Sequence, residues 1–89
     1  MSIFLIRCPS STLKGAGNYW GGTWYTNGKT YHPEAGWANR WVEPENAVAF
    51  NGAEQAEQVR ALLRLDYYLD GEIRPCEIVE FKKALAENE

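Results

Sequence analysis

The chain is poor in the side chains that carry chemistry. Its 89 residues include one histidine, His32, and two cysteines, Cys8 and Cys76. Two cysteines are too few for the disulfide framework of a small secreted scaffold, and they read as free thiols on strands. A zinc site needs paired spacings such as C-x-x-C or H-x-x-x-H, which Cys8, His32 and Cys76 do not supply. No metal and no cofactor are therefore expected. A nucleophilic Cys–His pair needs a neighbour that lowers the thiol pKa, and both cysteines lie in apolar runs without one. The acidic pairs, Glu43 with Glu45 and Glu77 with Glu80, face no matched acid or base. A protein without catalysis is the expectation.

Other absences narrow the class further. No apolar run is long enough to cross a bilayer, so no membrane is expected among the partners. Residues 2–6 lack the basic start and the length of a signal peptide, from which a cytoplasmic location is expected. Basic charge is scarce: nine Lys and Arg stand against 12 Asp and Glu, a formal net charge of −3. Proteins that live on phosphate backbones carry a basic stripe, so direct nucleic-acid binding is disfavoured. Gly15-Ala16-Gly17 resembles a phosphate cradle only superficially. A true cradle follows a strand and opens a helix, whereas Tyr19-Trp20-Gly21-Gly22 reads as strand.

Aromatic residues are what the chain has instead. All four tryptophans, Trp20, Trp24, Trp37 and Trp41, fall within residues 20–41. At the centre of that stretch Asn27-Gly28 separates two runs of β-branched and aromatic residues. That is the strongest short-range hairpin signal, because both central residues of a type I′ turn need positive φ. A turn there sets Thr26 opposite Lys29, Tyr25 opposite Thr30, Trp24 opposite Tyr31 and Thr23 opposite His32. Alternation then puts Trp24 and Thr26 on a core face and Thr23 and Tyr25 on a wetter one. Gly21-Gly22 predicts a bulge or a close backbone approach. Because a bulge shifts parity, the face taken by Trp20 stays open.

The rest of the chain reads in order as one domain over residues 1–89. Residues 2–8 form a central strand with apolar groups on both faces. Residues 10–18 are a loop, 19–26 and 29–32 are strands, and 33–36 are a turn. Residues 42–45 are extended, because a residue before proline leaves the α region. Residues 47–50 are a buried segment or a short strand. Asn51 with Glu54 three residues on has the spacing of a capping box, opening a helix to about Leu65–Leu69. Its apolar half carries Ala53, Ala56, Val59, Leu62, Leu63 and Tyr67. A competing reading makes Asp70-Gly71 a hairpin turn between residues 67–69 and 72–74. Residues 76–81 are the last strand, and 82–89 a frayed tail. The fold class is α+β: a small antiparallel sheet, β-β-β-α-β, with one amphipathic helix on one face.

Aromatic rings and arginine in strands and loops are the anchors that dominate interfaces. Tyr25, Trp37, Arg40 and Trp41 are the leading candidates, with Lys29 beside them. Asp70, Glu72 and Glu77 add acid that could enter a basic channel on a partner. Four tryptophans so close together are hard to hide under one helix.

The segment Trp41-Val42, Asn46-Ala47-Val48-Ala49-Phe50, Glu54-Gln55-Ala56, Val59, Leu62 and Ile78-Val79-Glu80 resembles a pattern in small proteins of bacteriophages and other mobile elements. There a strand, an Ala-x-x-Phe segment, an amphipathic helix and a final strand recur. The class includes inhibitors of host defence, the anti-CRISPR proteins among them. The resemblance implies a cytoplasmic protein of the host cell that binds a host protein or nucleoprotein complex and blocks its nucleic-acid surface. A module that stacks nucleotides or single strands on its aromatics is the alternative function, and a homodimer is a further option for the surface.

Overall fold

Large apolar groups on both sides of residues 4–8 suit only the middle of a sheet that is covered on both faces. The computed structural model, which describes residues 2–9, 18–29 and 32–87, places them there. For residues 29, 32–34 and 87 it describes the backbone alone. In chain order the elements are β1 (Phe4–Arg7), β2 (Tyr19–Lys29), β3 (His32–Val42), a 3-10 turn (Pro44–Asn46), α1 (Ala53–Leu62), β4 (Asp66–Leu69), β5 (Glu72–Pro75), β6 (Glu77–Glu80) and α2 (Phe81–Glu87). Four strands form an antiparallel sheet in the order β3-β2-β1-β6, and β4-β5 form a separate two-stranded one. The α+β class is as expected, with a second hairpin and a second helix added.

The two faces of the four-stranded sheet carry two cores. Ile6, Cys8, Trp20, Ala56, Leu65 and Cys76 are buried together, with Phe4, Trp41, Val48, Phe50, Val59, Tyr67 and Ile78 packed around them. Leu5, Tyr19 and Ala84 form the other cluster, against Ala47, Val79 and Phe81. The alternation of β1 and β6 therefore splits as the sequence predicts: Ile6 and Ile78 lie towards α1, Leu5 and Val79 towards α2. β1 and β2 meet in register only at Arg7 and Tyr19. Residues 48–50 bridge the gap where they part: the Val48 amide donates to the Trp20 carbonyl at 3.0 Å, and Phe4 and Phe50 exchange two backbone hydrogen bonds at 2.9 Å. The short apolar run thus acts as a strand-like filler.

The β2–β3 hairpin departs from the expected register. Its strands pair Tyr25 with Trp37, Trp24 with Ala38 and Thr23 with Asn39, and close with Lys29 opposite His32. The pairing therefore runs on past Asn27-Gly28, which is not the turn. The expected Trp24–Tyr31 and Tyr25–Thr30 pairs do not form, and Tyr31 and Thr30 lie outside the described residues, as does the loop at residues 10–17. The physical reason is non-local. This register sets Trp41 opposite Trp20 and Trp37 opposite Tyr25, two aromatic pairs that a turn at Asn27-Gly28 cannot make, each contributing about 0.2–1 kcal/mol. Gly28, at φ 79°, serves a register shift instead of the turn. The expected turn at residues 33–36 is strand, and Pro33 is tolerated because β3 is an edge strand with an irregularity there.

The predicted bulge at Gly21-Gly22 is present: the register shifts between Trp20 and Thr23. Both glycines are required. A Cβ on Gly21 would sit 2.8 Å from Val42 Cγ2, and Gly22 has φ 97°.

Helix α1 is shorter than expected, and its start and stop differ. Gly52, not Asn51, is the N-cap, without a side-chain cap bond. At the other end the Leu65 amide donates to the Arg60 carbonyl and the Arg64 amide to the Ala61 carbonyl. That is a Schellman motif with Arg64 in the left-handed region at φ 51°. Leu65 drops into the core beside Val59, whereas Leu62 is 81% exposed and Leu63 also faces outward. Both were expected on the buried face. The chain then runs into β4, and Asp70 and Gly71, at φ 53° and 79°, make the β4–β5 turn. The favoured helix to Leu65–Leu69 is thus replaced by the competing hairpin. Arg64→Gly is expected to raise stability by about 1 kcal/mol, because glycine enters the left-handed region without the Cβ clash. A thermal melt checks this: a rise of several degrees is expected, and a fall would mean the Arg64 side chain contributes more than its backbone costs.

Candidate protein-binding surface

Pairing parity sorts the aromatic residues of the hairpin. Trp37, Asn39 and Trp41 alternate along β3 and so share a face, opposite Tyr25, Thr23 and Trp20 respectively. The bulge at Gly21-Gly22 moves Trp20 off Trp24's face and onto that of Tyr25. The hydrogen bond from Trp20 Nε1 to Asn39 Oδ1, 3.1 Å, fits this placement. One face of the hairpin thus bears Trp20, Trp41, Tyr25 and Trp37. The inner pair is covered: Trp20 is 7% exposed and stacks on Phe50 at 6.3 Å with ring planes 13° apart. The outer pair is not. Trp37 is 75% exposed and Tyr25 50%, and their rings meet edge to face at 5.4 Å and 76°.

This geometry answers how four tryptophans fit into so small a domain. An 11-residue strand is about 36 Å long, whereas β1 and β6 have four residues each. On this face the outer rings are exposed and held by each other. Edge-to-face contact contributes about 0.5–1.5 kcal/mol beyond area burial, and it fixes both rings in the free protein. On the opposite face Thr26 is buried, and its Oγ1 has no hydrogen-bond partner among the described residues.

The eight residues proposed from sequence do not form one surface. Tyr25 and Trp37 are adjacent and exposed. Trp41 is half-buried against the α1-side core. Arg40 is exposed but projects from the opposite face of β3 by parity. Lys29 ends β2 close to the hairpin tip, and its side chain lies outside the described residues. Glu77 is on β6, the other edge of the sheet, opposite Arg7, with Oε2 at 3.8 Å from Arg7 Nε. Asp70 and Glu72 belong to the β4–β5 hairpin, where Glu72 pairs with Arg74 at 3.0 Å.

That second hairpin presents what sequence reading missed. Tyr68 and Ile73 are directly opposite and both exposed. Reading residues 66–69 as helix hid the pair; the Asp70-Gly71 signal and the alternation around it could have found it.

The remaining chemistry is sparse among the described residues. No group of three or more His, Cys, Asp or Glu is placed to hold a metal, and no helix is long and apolar enough to cross a membrane. A cleft of about 360 Å³ at the end of β1 is lined by Ser2, Ile3, Glu80, Phe81 and Lys82. Its lining includes one carboxylate and one ammonium and no strong nucleophile. Burial, and then the adjacent Cys8 thiol, push the Cys76 thiol up from 9.0 to about 12. That is the reverse of the lowering that activates a cysteine. The side chain of His32 lies outside the described residues.

No family model matches the chain, no curated protein matches its sequence and no solved structure matches its fold.

Proposed function

We propose that the chain is a non-enzymatic binding protein that docks onto a host protein or nucleoprotein through the outer face of the β2–β3 hairpin, in the manner of phage-type inhibitors. The observation that carries this reading is the exposed, mutually braced Tyr25–Trp37 pair on the β2–β3 hairpin. Rigid aromatic anchors lose little conformational entropy on binding and dominate interface energetics. The acidic net charge favours a basic partner, such as the nucleic-acid channel of a defence complex. Stacking of a nucleobase on Trp37 is the second reading. The parity that turns Arg40 away from Trp37 weighs against it, since Arg40 is then not placed to hold a phosphate there.

The test is affinity capture with the wild-type chain, the double variant Tyr25→Ala/Trp37→Ala and the control Tyr68→Ala. The partner recovered by wild type and by the control is expected to be lost by the double variant, with at least a tenfold drop in affinity. Retention by the double variant would sink the reading. Tryptophan fluorescence titrated with nucleotides and short oligonucleotides separates the alternative, which requires quenching that disappears in Trp37→Ala.

A further inference from the structure

The two cysteines are paired in space. The β1–β6 register runs Phe4 with Glu80, Leu5 with Val79, Ile6 with Ile78 and Arg7 with Glu77. One step further sets Cys8 opposite Cys76. Both are buried in the same cluster, Cys8 7% exposed and Cys76 not at all.

Antiparallel pairs come in two kinds, and the hydrogen bonds identify this one. The Phe81 amide donates across to the Ile3 carbonyl at 2.7 Å, so the Ile3–Phe81 pair is hydrogen-bonded. Alternation makes every second pair from there non-hydrogen-bonded, and Cys8–Cys76 is one of those. The amides agree: Cys8 donates to the Asn18 carbonyl at 2.7 Å and Cys76 to the Leu65 carbonyl at 2.9 Å, both away from each other. Non-hydrogen-bonded positions have the closer side chains, with Cα atoms about 4.5 Å apart, inside the range a disulfide spans. Arg60 Nη1 donates to the Cys76 carbonyl at 3.0 Å and ties α1 to the same point.

We infer that Cys8 and Cys76 are a thiol pair that closes, in the native fold, into an intramolecular cross-strand disulfide when the chain meets a small-molecule disulfide. The exchange balances in two steps. The Cys8 thiol loses its proton, and its sulfur attacks one sulfur of the reagent; the reagent's S–S bond breaks and one thiolate leaves, taking up that proton. The Cys76 sulfur, losing its own proton, then attacks the Cys8 sulfur of the mixed disulfide. That S–S bond breaks, the second reagent thiolate leaves and takes up the proton. Two protein thiols are oxidised and one reagent disulfide is reduced to two thiols. The raised Cys76 thiol and the burial of both sulfurs make closure slow at neutral pH and faster in alkali. The bond would join the N-terminal strand to the strand after β5, closing a loop of roughly 70 residues and removing much chain entropy from the unfolded state.

The experiment incubates the reduced 89-residue chain with oxidised glutathione, in buffer and in urea below the unfolding transition. Intact mass, thiols alkylatable after denaturation, and melting temperature are then measured. The expected product is a monomer lighter by two hydrogen atoms, with no alkylatable thiol. Its melting temperature is higher by on the order of 10 °C, and dithiothreitol reverses the change. Cys8→Ala and Cys76→Ala should each give no such product. Two alkylatable thiols under every condition, a lasting glutathione adduct, or covalent dimers would overturn the inference. An oxidised monomer that melts no higher would overturn it as well, since the bond would then form at the expense of native packing. These readouts on the wild-type chain stand even if an alanine variant fails to fold.

Discussion

Trp20→Ala is expected to destabilise the protein by about 3–5 kcal/mol, the cost of truncating a buried large aromatic. Three losses combine at this position. The indole is buried in the α1-side cluster and stacks on Phe50. Its Nε1 bond to Asn39 pins the strand pair beside the bulge. Its removal also leaves a void where residues 48–50 cross between β1 and β2, next to the hydrogen bond that Val48 makes to the Trp20 carbonyl. A domain of this length has a total stability of about 4–13 kcal/mol, so the variant should lose at least 10 °C of melting temperature or fail to fold. Trp37→Ala, on the same face two strand pairs outward, should cost no more than about 1 kcal/mol, the worth of its contact with Tyr25. Urea melts of the two variants side by side check the contrast. Equal destabilisation would mean that Trp37 is packed in the free protein, through a second copy, and that the outer face is not open.

Ala84→Glu is the second large effect. Ala84 is 0% exposed and lies between Leu5 and Tyr19 on the α2 side of the sheet. A glutamate there would bury a carboxylate with no cation in the cluster, or force α2 off the sheet and expose Leu5 and Tyr19 to water. Either route is expected to cost about 3 kcal/mol or more. Ala86→Glu, at an exposed position of the same helix, should be within about 0.5 kcal/mol of wild type. Circular-dichroism melts of both variants decide it. Near-identical curves would mean that α2 contributes nothing and behaves as the frayed tail its sequence suggests.

Much of this fold is legible in the residues. The alternation in residues 4–8 and 76–81 names the two faces of β1 and β6. The bulge is written in Gly21-Gly22, since no other residue pair meets a 2.8 Å approach to Val42 and a positive φ together. Tyr25 was expected on a wetter face and is exposed, although Trp20 on the same face is buried. Of the candidate surface, Tyr25 and Trp37 were both legible as candidates, but their direct pairing was not. It depends on where the hairpin turns, and Asn27-Gly28 gave a strong local signal for a different place.

Sequence alone therefore determined the α+β class, the strand periodicities and the position of the bulge, because each depends on the steric and polar character of residues close in the chain. The tertiary structure decided the hairpin register, the end of α1 at Arg64, the fate of Asp70-Gly71 and the docking of α2. Each of these is a competition between a local preference of about 1 kcal/mol and contacts made by residues far away in sequence. Leu65 ends α1 because burying it beside Val59 outweighs a left-handed arginine. Trp41 sets the register of β3 because only one alignment lays it against Trp20. Ala84 holds α2 because Leu5 and Tyr19 need cover. Cys8 and Cys76, unrelated in the sequence, become neighbours by the same β1–β6 register.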